Sequence, residues 1–312
     1  MTDAAYAPGR DVPRPSAARR AIGAVFHAAG PVLAVLVILV AVWYLAAARM
    51  NWQWEVDQAA RNNTGAGTVE MLTNTMFQER PVLPAPHQVA VELWETTVEK
   101  KITSKRSLVH HAQITLSATM LGFGFGAGLG IVLAVMIVHS RAMDMSLMPW
   151  IIASQTIPIL AIAPMIIVVL NAVGLSGLIP KALISTYLSF FPVAVGMVKG
   201  LRSPDAMQLD QMRTWGATPA QVFWKLRWPS SVPYLFASLK IGVAAALVGT
   251  IVGELPTGAV AGLGARLLAG SYYGQTVQIW SALIMAALLA GALVGVVGLV
   301  NRIVLSRMGM NR

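Results

Sequence analysis

The chain has 312 residues, 56% of them hydrophobic and only 12% charged, with a formal net charge of +10 and no cysteine. A typical soluble domain has about 25% charged residues, so the composition excludes an ordinary soluble protein and indicates an integral membrane protein. Without cysteine, disulfides, thiolate metal sites and cysteine nucleophiles are excluded, and the basic residues flank apolar runs instead of forming the basic patch of a nucleic-acid-binding domain.

The apolar runs predict an all-α fold with six membrane-spanning helices, because a helix of about 20 apolar residues crosses the bilayer. The first run follows the mostly polar residues 1–30 and is longer than the core of a signal peptide, so we expect a retained anchor instead of a cleaved leader. The predicted spans are residues 31–48, 114–138, 147–170, 178–198, 232–252 and 277–303.

Basic residues predict the orientation of these spans. With the N-terminus in the cytoplasm, the inner segments carry 13 Lys and Arg against five acids, whereas the outer loop carries seven of each. That asymmetry follows the positive-inside rule. The predicted organisation is a cytoplasmic N-terminal tail at 1–30, a first transmembrane helix at 31–48, an external loop at 49–113, a five-helix core at 114–303 with a cytoplasmic loop at 199–231, and a cytoplasmic tail at 304–312.

The segment between the first two spans is too long for a simple connection, which is typical of a functional or partly disordered region. Interfacial anchoring explains Trp52 and Trp54, since tryptophan concentrates at membrane surfaces. His110 and His111 lack the spacing and companions of a metal site. We therefore expect both histidines at the protein surface near the membrane edge.

Alternate glycines in the second span predict close helix packing. Gly122, Gly126 and Gly130 form the small-xxx-small face on which two membrane helices approach each other closely. A nucleotide-binding loop is the alternative for such a run, but the strand-to-helix setting and the spacing of the dinucleotide fingerprint are missing. We therefore predict a helix-packing surface.

Polar residues inside the spans are candidates for a translocation path, because a polar group facing lipid is costly and usually faces the bundle interior. Interhelical hydrogen bonds are the alternative for each of them. Pro158, Pro164 and Pro192 remove helical hydrogen bonds within spans and predict either gating bends or static kinks. The path candidates are Gln155, Thr156, Pro158, Asn171, Ser185, Tyr187, Ser189, Lys240 and Glu254.

Glu254 is predicted at the external end of the fifth span. Lys240 precedes it by 14 residues, which is about 21 Å along a helix, so the two residues cannot pair within that helix. If Glu254 is buried, we expect its carboxylate to meet a backbone donor or a residue on another span instead of a transported cation.

The cytoplasmic loop predicts a helix–turn–helix. Asp205–Trp215 favours one short helix, and Gly216 suits the left-handed residue that ends it. Thr218 is a typical N-cap with Pro219 at the first helical position, so a second helix should run to about Leu226. Its apolar face has nothing in the loop to cover it, which predicts a partner protein. That face comprises Pro219, Val222, Phe223 and Leu226.

This loop resembles the coupling segment of a known family, the transmembrane permease subunits of ATP-binding-cassette importers. Their motif is Glu-Ala-Ala, three residues, Gly, nine residues and Ile-x-Leu-Pro; here Asp210-Gln211-Met212, Gly216 and Leu226-Arg227-Trp228-Pro229 keep the spacing, with Asp210 in place of Glu. The resemblance implies that the segment docks in a groove of the ATPase subunit and transmits its closure to the spans. The implied coupling residues are Asp210, Gly216, Ala217, Thr218, Pro219, Val222, Phe223, Leu226 and Pro229.

Further short motifs in the chain are similar to those of the nitrate, sulfonate and taurine branch of these permeases. That branch also includes transporters of thiamine-precursor pyrimidines. The branch implies the type I importer permease fold, a bacterial inner membrane location, a homodimer, separate ATPase subunits and an external substrate-binding protein. Residues 51–80 look like an insertion in the external loop, and the longer segment 51–105 is a candidate docking site for that binding protein. The matching motifs are Leu83-Pro84-Ala85-Pro86, Gln155-Thr156-Ile157-Pro158, Ala163-Pro164, Phe190-Phe191-Pro192, Gly253-Glu254 and Gly262-Leu263-Gly264.

The implied function is import of a small polar solute such as nitrate, a sulfonate, taurine or a pyrimidine-like heterocycle. The sequence has no GxxxxGK[ST] phosphate loop, so we expect no ATPase site and no cofactor in this chain, with ATP and Mg bound by the partner ATPase. An ion-coupled secondary transporter is the alternative, but it would need charged residues in mid-span and internal repeats. A membrane enzyme or scaffold would need a convergent acid, base or metal cluster.

Overall fold

The structure is a computed structural model in which every described regular element is helical. Parts of the predicted tails, residues 1–16 and 311–312, lie outside the described part of the chain. The structure describes residues 17–62, 67–256 and 261–310, and of residues 17–29, 62 and 68 it describes the backbone alone.

The first of two compact units, Met1–Pro86, is built on one long helix. Helix α1 (Ala17–Asn62) begins before the predicted span 31–48 and ends after it. A short helix, α2 (Thr68–Met76), follows. The region predicted as an external loop is therefore substantially helical, because α1 continues beyond its apolar run into the more polar residues up to Asn62.

An extended segment after α2 is held along α1 by side chains of that helix. The buried Asn51 side chain donates through Nδ2 to the Leu83 carbonyl at 2.8 Å and accepts the Leu83 amide at 3.1 Å. The Trp43 indole donates to the Pro84 carbonyl at 3.0 Å. Because a proline-containing segment cannot satisfy its own carbonyls in a regular helix, these bonds fix it within the first unit.

The second compact unit, His87–Arg312, contains the remaining membrane helices and two single π-helical turns. Its elements in chain order are α3 (Pro86–Trp94), a π turn at Glu95–Glu99, α4 (Leu108–His139), α5 (Arg141–Ser154), α6 (Ile159–Ala172), α7 (Leu178–Leu201), α8 (Ala206–Thr214), α9 (Pro219–Val222), a π turn at Phe223–Arg227, α10 (Trp228–Glu254), α11 (Leu263–Tyr272) and α12 (Thr276–Arg307).

Among the described residues, five helices are long and apolar enough to cross a membrane, and a bent pair gives a sixth span if it is counted as one. The five are Gly30–Arg61, Leu108–His139, Leu178–Leu201, Pro219–Glu254 and Thr276–Arg307. This agrees with the predicted all-α, multi-span fold. The spans are longer than the apolar runs alone, because each helix continues into flanking polar residues.

The predicted third span is wrong as a single helix. The chain turns by 97° between α5 and α6. Pro158 has no amide hydrogen and disfavours helical backbone at the preceding residue, so α6 begins only after it. The Gln155 amide and the Thr156 hydroxyl bond back to the carbonyls of Ile152 and Ala153, which satisfies the end of α5. The proline thus marks a break instead of a mild kink.

Helix α7 packs between α4 and α10, and glycines make the α4 contact close. Added Cβ atoms at Gly122 and Gly126 would collide with Ser185 and Ser189 of α7, and one at Gly130 would lie 2.8 Å from the Phe190 carbonyl oxygen. By contrast, Gly124 and Gly128 face open space. The predicted small-xxx-small packing face is therefore confirmed.

This geometry gives opposite predictions for two neighbouring glycines. Gly126→Ala should destabilise the chain by about 1–3 kcal/mol, because the new methyl group collides with α7. Gly124→Ala should stabilise it by up to about 1 kcal/mol through helix propensity alone, since nothing lies near its Cβ position. Thermal unfolding of the detergent-solubilised protein measures both, and equal shifts would contradict the packing.

Candidate functional site

The helix–turn–helix predicted from Gly216 and the helix-start residues is present, and both of its helices are capped. Asp205 caps α8, since its carboxylate accepts the Gln208 amide at 2.9 Å while the Gln208 side chain accepts the Asp205 amide at 3.3 Å. Thr218 and Gln221 form the same reciprocal box at α9, with distances of 3.3 and 2.9 Å. Such boxes satisfy amides that a helix start leaves free, so the two helices have fixed beginnings.

Gly216 makes the turn between these helices. Its φ of +66° is in the left-handed region, and Ala217 donates to the Met212 carbonyl at 3.0 Å, as in a Schellman end. No atom lies within 4 Å of a Cβ built there, so the backbone angle alone requires glycine. The predicted left-handed residue and N-cap are confirmed.

Gly216→Val tests whether the turn requires a residue that adopts the left-handed backbone conformation. A β-branched residue in the left-handed region costs about 1–2 kcal/mol, so the turn should loosen without a steric collision. Gly216→Asn is the matched control, since asparagine tolerates this conformation. Hydrogen exchange of the Ala217 amide should rise in the valine variant alone. Equal exchange in both variants would show that the turn does not depend on φ.

The second helix does not end near Leu226 as predicted. It continues through a π turn into α10, which gives one 36-residue helical run, Pro219–Glu254. Pro229 lies inside this run, where its ring would clash with the carbonyl four residues earlier in an α-helix. In the π turn the Trp228 amide donates to the Phe223 carbonyl, five residues earlier. The helix therefore accommodates Pro229 without ending.

The predicted apolar face of the second helix is divided between the chain itself and the solvent. Phe223 is buried, and its ring meets His139 edge to face with centroids 5.0 Å apart. It packs in a cluster with Ile137 and Met197, so this chain covers it. Pro219 is exposed, and Val222 and Leu226 are partly buried.

Residues 202–229, which were predicted to dock an ATPase and which we call the docking loop, carry several exposed apolar side chains and help to line a cleft. Met207, Trp215 and Trp224 are 81%, 70% and 62% exposed. The motif assigns none of them a role, although tryptophan among charged loop residues is itself a signal. The cleft has a volume of about 330 Å³ and is lined by Val138, His139, Leu209, Arg213, Ala217, Pro219, Val222, Phe223 and Arg227.

Polar contacts attach the docking loop to the membrane helices. Arg227 donates to the Leu201 carbonyl at 3.0 Å, which joins the start of α10 to the end of α7. Arg202 pairs with Asp144 at 2.8 Å, which joins the end of α7 to α5. Asp210, the acid of the motif, is exposed and pairs with Arg213 within α8 at 3.1 Å. These side-chain contacts therefore tie the loop to α7 and α5.

The predicted path residues fall into separate places. Gln155, Thr156 and Pro158 lie in the break between α5 and α6, and the Tyr187 hydroxyl donates to the Ser154 carbonyl beside it. Asn171 is exposed at the end of α6. Buried between helices, Ser189 donates to backbone carbonyls of α4 and α7, and Ser185 donates to the Ala246 carbonyl of α10 at 2.9 Å. The two serines thus make interhelical bonds.

Glu254 is fully buried at the end of α10. Its carboxylate accepts the Thr115 hydroxyl at 3.0–3.1 Å, the Gly264 amide at 2.8 Å and the Lys181 ammonium at 3.4 Å. The expectation that Glu254 meets a backbone donor or another span is confirmed. Lys181 was not predicted, although a lone lysine near the start of an apolar helix is a recognisable signal.

The predicted surface position of His111 is wrong. Its side chain is buried; Nε2 donates to the Lys105 carbonyl at 3.0 Å, and Nδ1 accepts the Gly262 amide at 3.0 Å. Because both ring nitrogens are used by the backbone, His111 ties the start of α4 to the segment before α11. Within the described ranges, no group of three or more His, Asp or Glu side chains is placed to hold a metal ion.

Two oppositely charged side chains, Glu92 and Arg266, lie outside the spans. Burial raises the pKa of the half-buried Glu92 on α3, and the positive charges of Lys100 and Arg266 partly oppose that rise. Burial likewise lowers the pKa of Arg266 on α11, against the attraction of Glu92. The charge of each of these half-buried groups therefore favours the charged form of the other.

Comparison with known proteins identifies the family. Residues 126–310 match the model of the binding-protein-dependent transport system inner membrane component. The chain is 34% identical to the riboflavin transport system permease protein of Chloroflexus aurantiacus, over 71% of this chain and 79% of that protein. It is 30% identical to the formylaminopyrimidine transport permease protein of Halalkalibacterium halodurans, over 61% and 71%.

A third relative is the taurine transport system permease protein of Escherichia coli, which is 23% identical over 78% of this chain and 88% of that protein. These matches confirm the resemblance drawn from the motifs, and they do not support an ion-coupled secondary transporter. The chain belongs to the inner membrane components of binding-protein-dependent transport systems, the multi-pass permease subunits of ATP-binding-cassette importers.

Proposed function

We propose that this permease pairs with a second copy of itself and docks a separate ATPase at the docking loop, residues 202–229. The observation that carries the proposal is the capped α8–Gly216–α9 turn, which presents exposed Trp215 and Trp224 beside a cleft. Exposed aromatic residues around a concave surface are typical anchors of protein interfaces. ATP and Mg would bind to the partner subunit, and this chain would supply neither an ATPase site nor a cofactor site.

The continuous helix gives this docking a direct route into the membrane. Pro219–Glu254 is one run of 36 residues, which corresponds to about 54 Å of helix. A displacement of α9 would therefore move α10 without an intervening flexible loop. In the proposed orientation both termini and the docking loop face the cytoplasm, as the distribution of Lys and Arg favours, and an external binding protein delivers the solute from the other side.

For the solute we propose a small nitrogen heterocycle. The two relatives named for riboflavin and formylaminopyrimidine share 34% and 30% identity with this chain. Relatives named for aliphatic sulfonates and taurine share 26% and 23%. Nitrate, sulfonates and taurine are the competing solutes. This ranking supports a heterocycle, since higher identity favours a shared solute class.

Purification of the tagged chain from its native membrane, with mass spectrometry of the co-purified proteins, tests the assembly. We expect a P-loop ATPase and an exported binding protein. Uptake of labelled riboflavin, formylaminopyrimidine and taurine into proteoliposomes containing the whole complex then tests the solute. ATP-dependent uptake of either heterocycle supports the proposal, whereas uptake of taurine alone contradicts the solute class. A chain that purifies alone and carries solute without ATP contradicts the assembly.

A further inference from the structure

The buried polar group at the opposite end of α10 from the docking loop joins four helices and has no role in the proposed coupling. We call it the Glu254 cluster: Thr115 on α4, Lys181 on α7, Glu254 on α10, and the amides of Leu263 and Gly264 at the start of α11. All of its side chains are almost completely buried. Buried charges are costly unless they are fully paired, so the presence of this cluster indicates a function.

Thr115 links Glu254 to the start of α11 through two hydrogen bonds. Its hydroxyl oxygen accepts the Leu263 amide at 2.8 Å, and its single hydrogen is shared between the two oxygens of Glu254 at 3.0–3.1 Å. The Gly264 amide reaches the same carboxylate directly at 2.8 Å. Two successive amides at the start of α11 are therefore held by side chains of α4 and α10.

Two glycines provide the space for this contact. An added Cβ at Gly262, whose φ is +131°, would collide with the Glu254 carboxylate, and one at Gly264 would lie 2.7 Å from the Glu254 Cβ. Lys181 adds a further tie, because its ammonium also donates to the Ala261 carbonyl at 3.2 Å. The backbone from 261 to 264 thus lies directly on the carboxylate.

A cleft of about 450 Å³ is lined by Leu255 and Pro256, the two residues that follow Glu254 in the chain. One wall comes from α6, and the others come from the residues around Glu254 and from α11. The position of α11 on the Glu254 cluster therefore sets how far its side chains stand from α6. The lining residues are Leu160, Ala163, Pro164, Val252, Leu255, Pro256, Leu268 and Tyr272.

We propose that Glu254 is a positioning residue for transport: its carboxylate, with Thr115 and Lys181, fixes the start of α11 against α4 and α7 and thereby sets the width of the cleft between α6, α10 and α11. Glu254 accordingly does not contact the solute. The transport part of this inference rests on the proposed function, whereas the structural part does not need the solute.

The test compares Thr115→Val, which removes both hydrogen bonds at constant shape, with Thr115→Ser, which retains them. Leu268→Cys provides a reporter in the cleft, because the native chain contains no cysteine. In the full chain with its ATPase, Thr115→Val should raise the exchange rate of the Leu263 amide by about tenfold or more and change the maleimide labelling rate of the reporter by about threefold. Thr115→Ser should stay within about twofold for both measurements.

A second pair of variants separates positioning from simple stabilisation. Glu254→Gln alone leaves the buried Lys181 charge unpaired, whereas Glu254→Gln with Lys181→Met removes both charges, a change that proteins often accept without loss of stability. We expect the double variant to recover the thermal stability lost by the single one but to keep the altered labelling. Recovery of native labelling together with stability would overturn the proposal, and so would native Leu263 exchange in Thr115→Val.

Uptake completes the test. For whichever of riboflavin, formylaminopyrimidine or taurine the unmodified complex carries, Thr115→Val should lower uptake per folded complex by about tenfold, and Thr115→Ser should rescue it. Native uptake in Thr115→Val would overturn the role in transport. If the unmodified complex carries none of the three, the proposed solutes fail, while amide exchange and labelling still decide whether Glu254 positions α11.

Discussion

Trp224→Ala is expected to leave the permease folded and to weaken its affinity for the ATPase by about tenfold or more, because truncation of an exposed interface tryptophan commonly costs over 1 kcal/mol of binding. Trp224 is 62% exposed on the docking loop. Its ring contacts Phe223 and Trp228 at centroid distances of 5.0 and 5.7 Å, so its orientation is fixed before any partner binds. A pre-organised anchor loses little side-chain entropy on docking.

The measurement is the affinity of the purified permease for its ATPase, together with thermal unfolding of the permease alone. Trp150→Ala is the matched control, since Trp150 on α5 is 76% exposed but lies outside the docking loop. It should change neither quantity. An ATPase affinity that is unchanged in Trp224→Ala, or lowered equally in Trp150→Ala, would contradict the assignment of the docking surface.

Phe223→Ala should act on folding instead of binding and destabilise the chain by about 3–5 kcal/mol, the usual cost of removing a buried phenylalanine. Phe223 is only 8% exposed and packs with Ile137, Met197 and Leu201 where α4, α7 and α10 meet. The cavity would open at the joint between the docking loop and the membrane helices. Loss of transport in this variant should therefore accompany loss of folded protein instead of a specific uncoupling.

Thermal unfolding in detergent measures this effect, and Phe125→Ala is the control. Phe125 is a phenylalanine of α4 that is 64% exposed, so its removal leaves no cavity in the core. The control should unfold close to the native temperature. A Phe223→Ala protein that unfolds normally but no longer binds the ATPase would make Phe223 a docking residue after all.

The docking loop, with exposed Trp224 beside buried Phe223, shows which features could be predicted from the sequence. The signals of the docking loop are local: Asp205 with Gln208, Thr218 with Gln221, and a glycine between them, and each acts within a few residues. The helix starts and the left-handed turn were therefore predictable. Periodicity placed Phe223 on an apolar face, but which surface covers that face depends on α4 and α7, which are distant in sequence.

The same distinction applies at the other end of α10. That Glu254, if buried, would need a partner followed from the cost of a charge in an apolar span. Its partners Thr115 and Lys181 are separated from it by 139 and 73 positions, so spacing could not identify them. The break at Pro158 was also underestimated, since a proline alone does not distinguish a bend from two separate helices.

The π turn at Phe223–Arg227 also has a consequence for how such loops can be exchanged between permeases. It fixes the azimuth of α9 relative to α10, because each residue of an α-helix advances the chain by about 100° around the axis. A one-residue deletion there would turn the docking surface to another side of the bundle while every helix remained intact. The junctions of a chimera should therefore lie at residues 202–204, between α7 and α8, and near the middle of α10. The π turn is then transferred together with the docking surface whose orientation it sets.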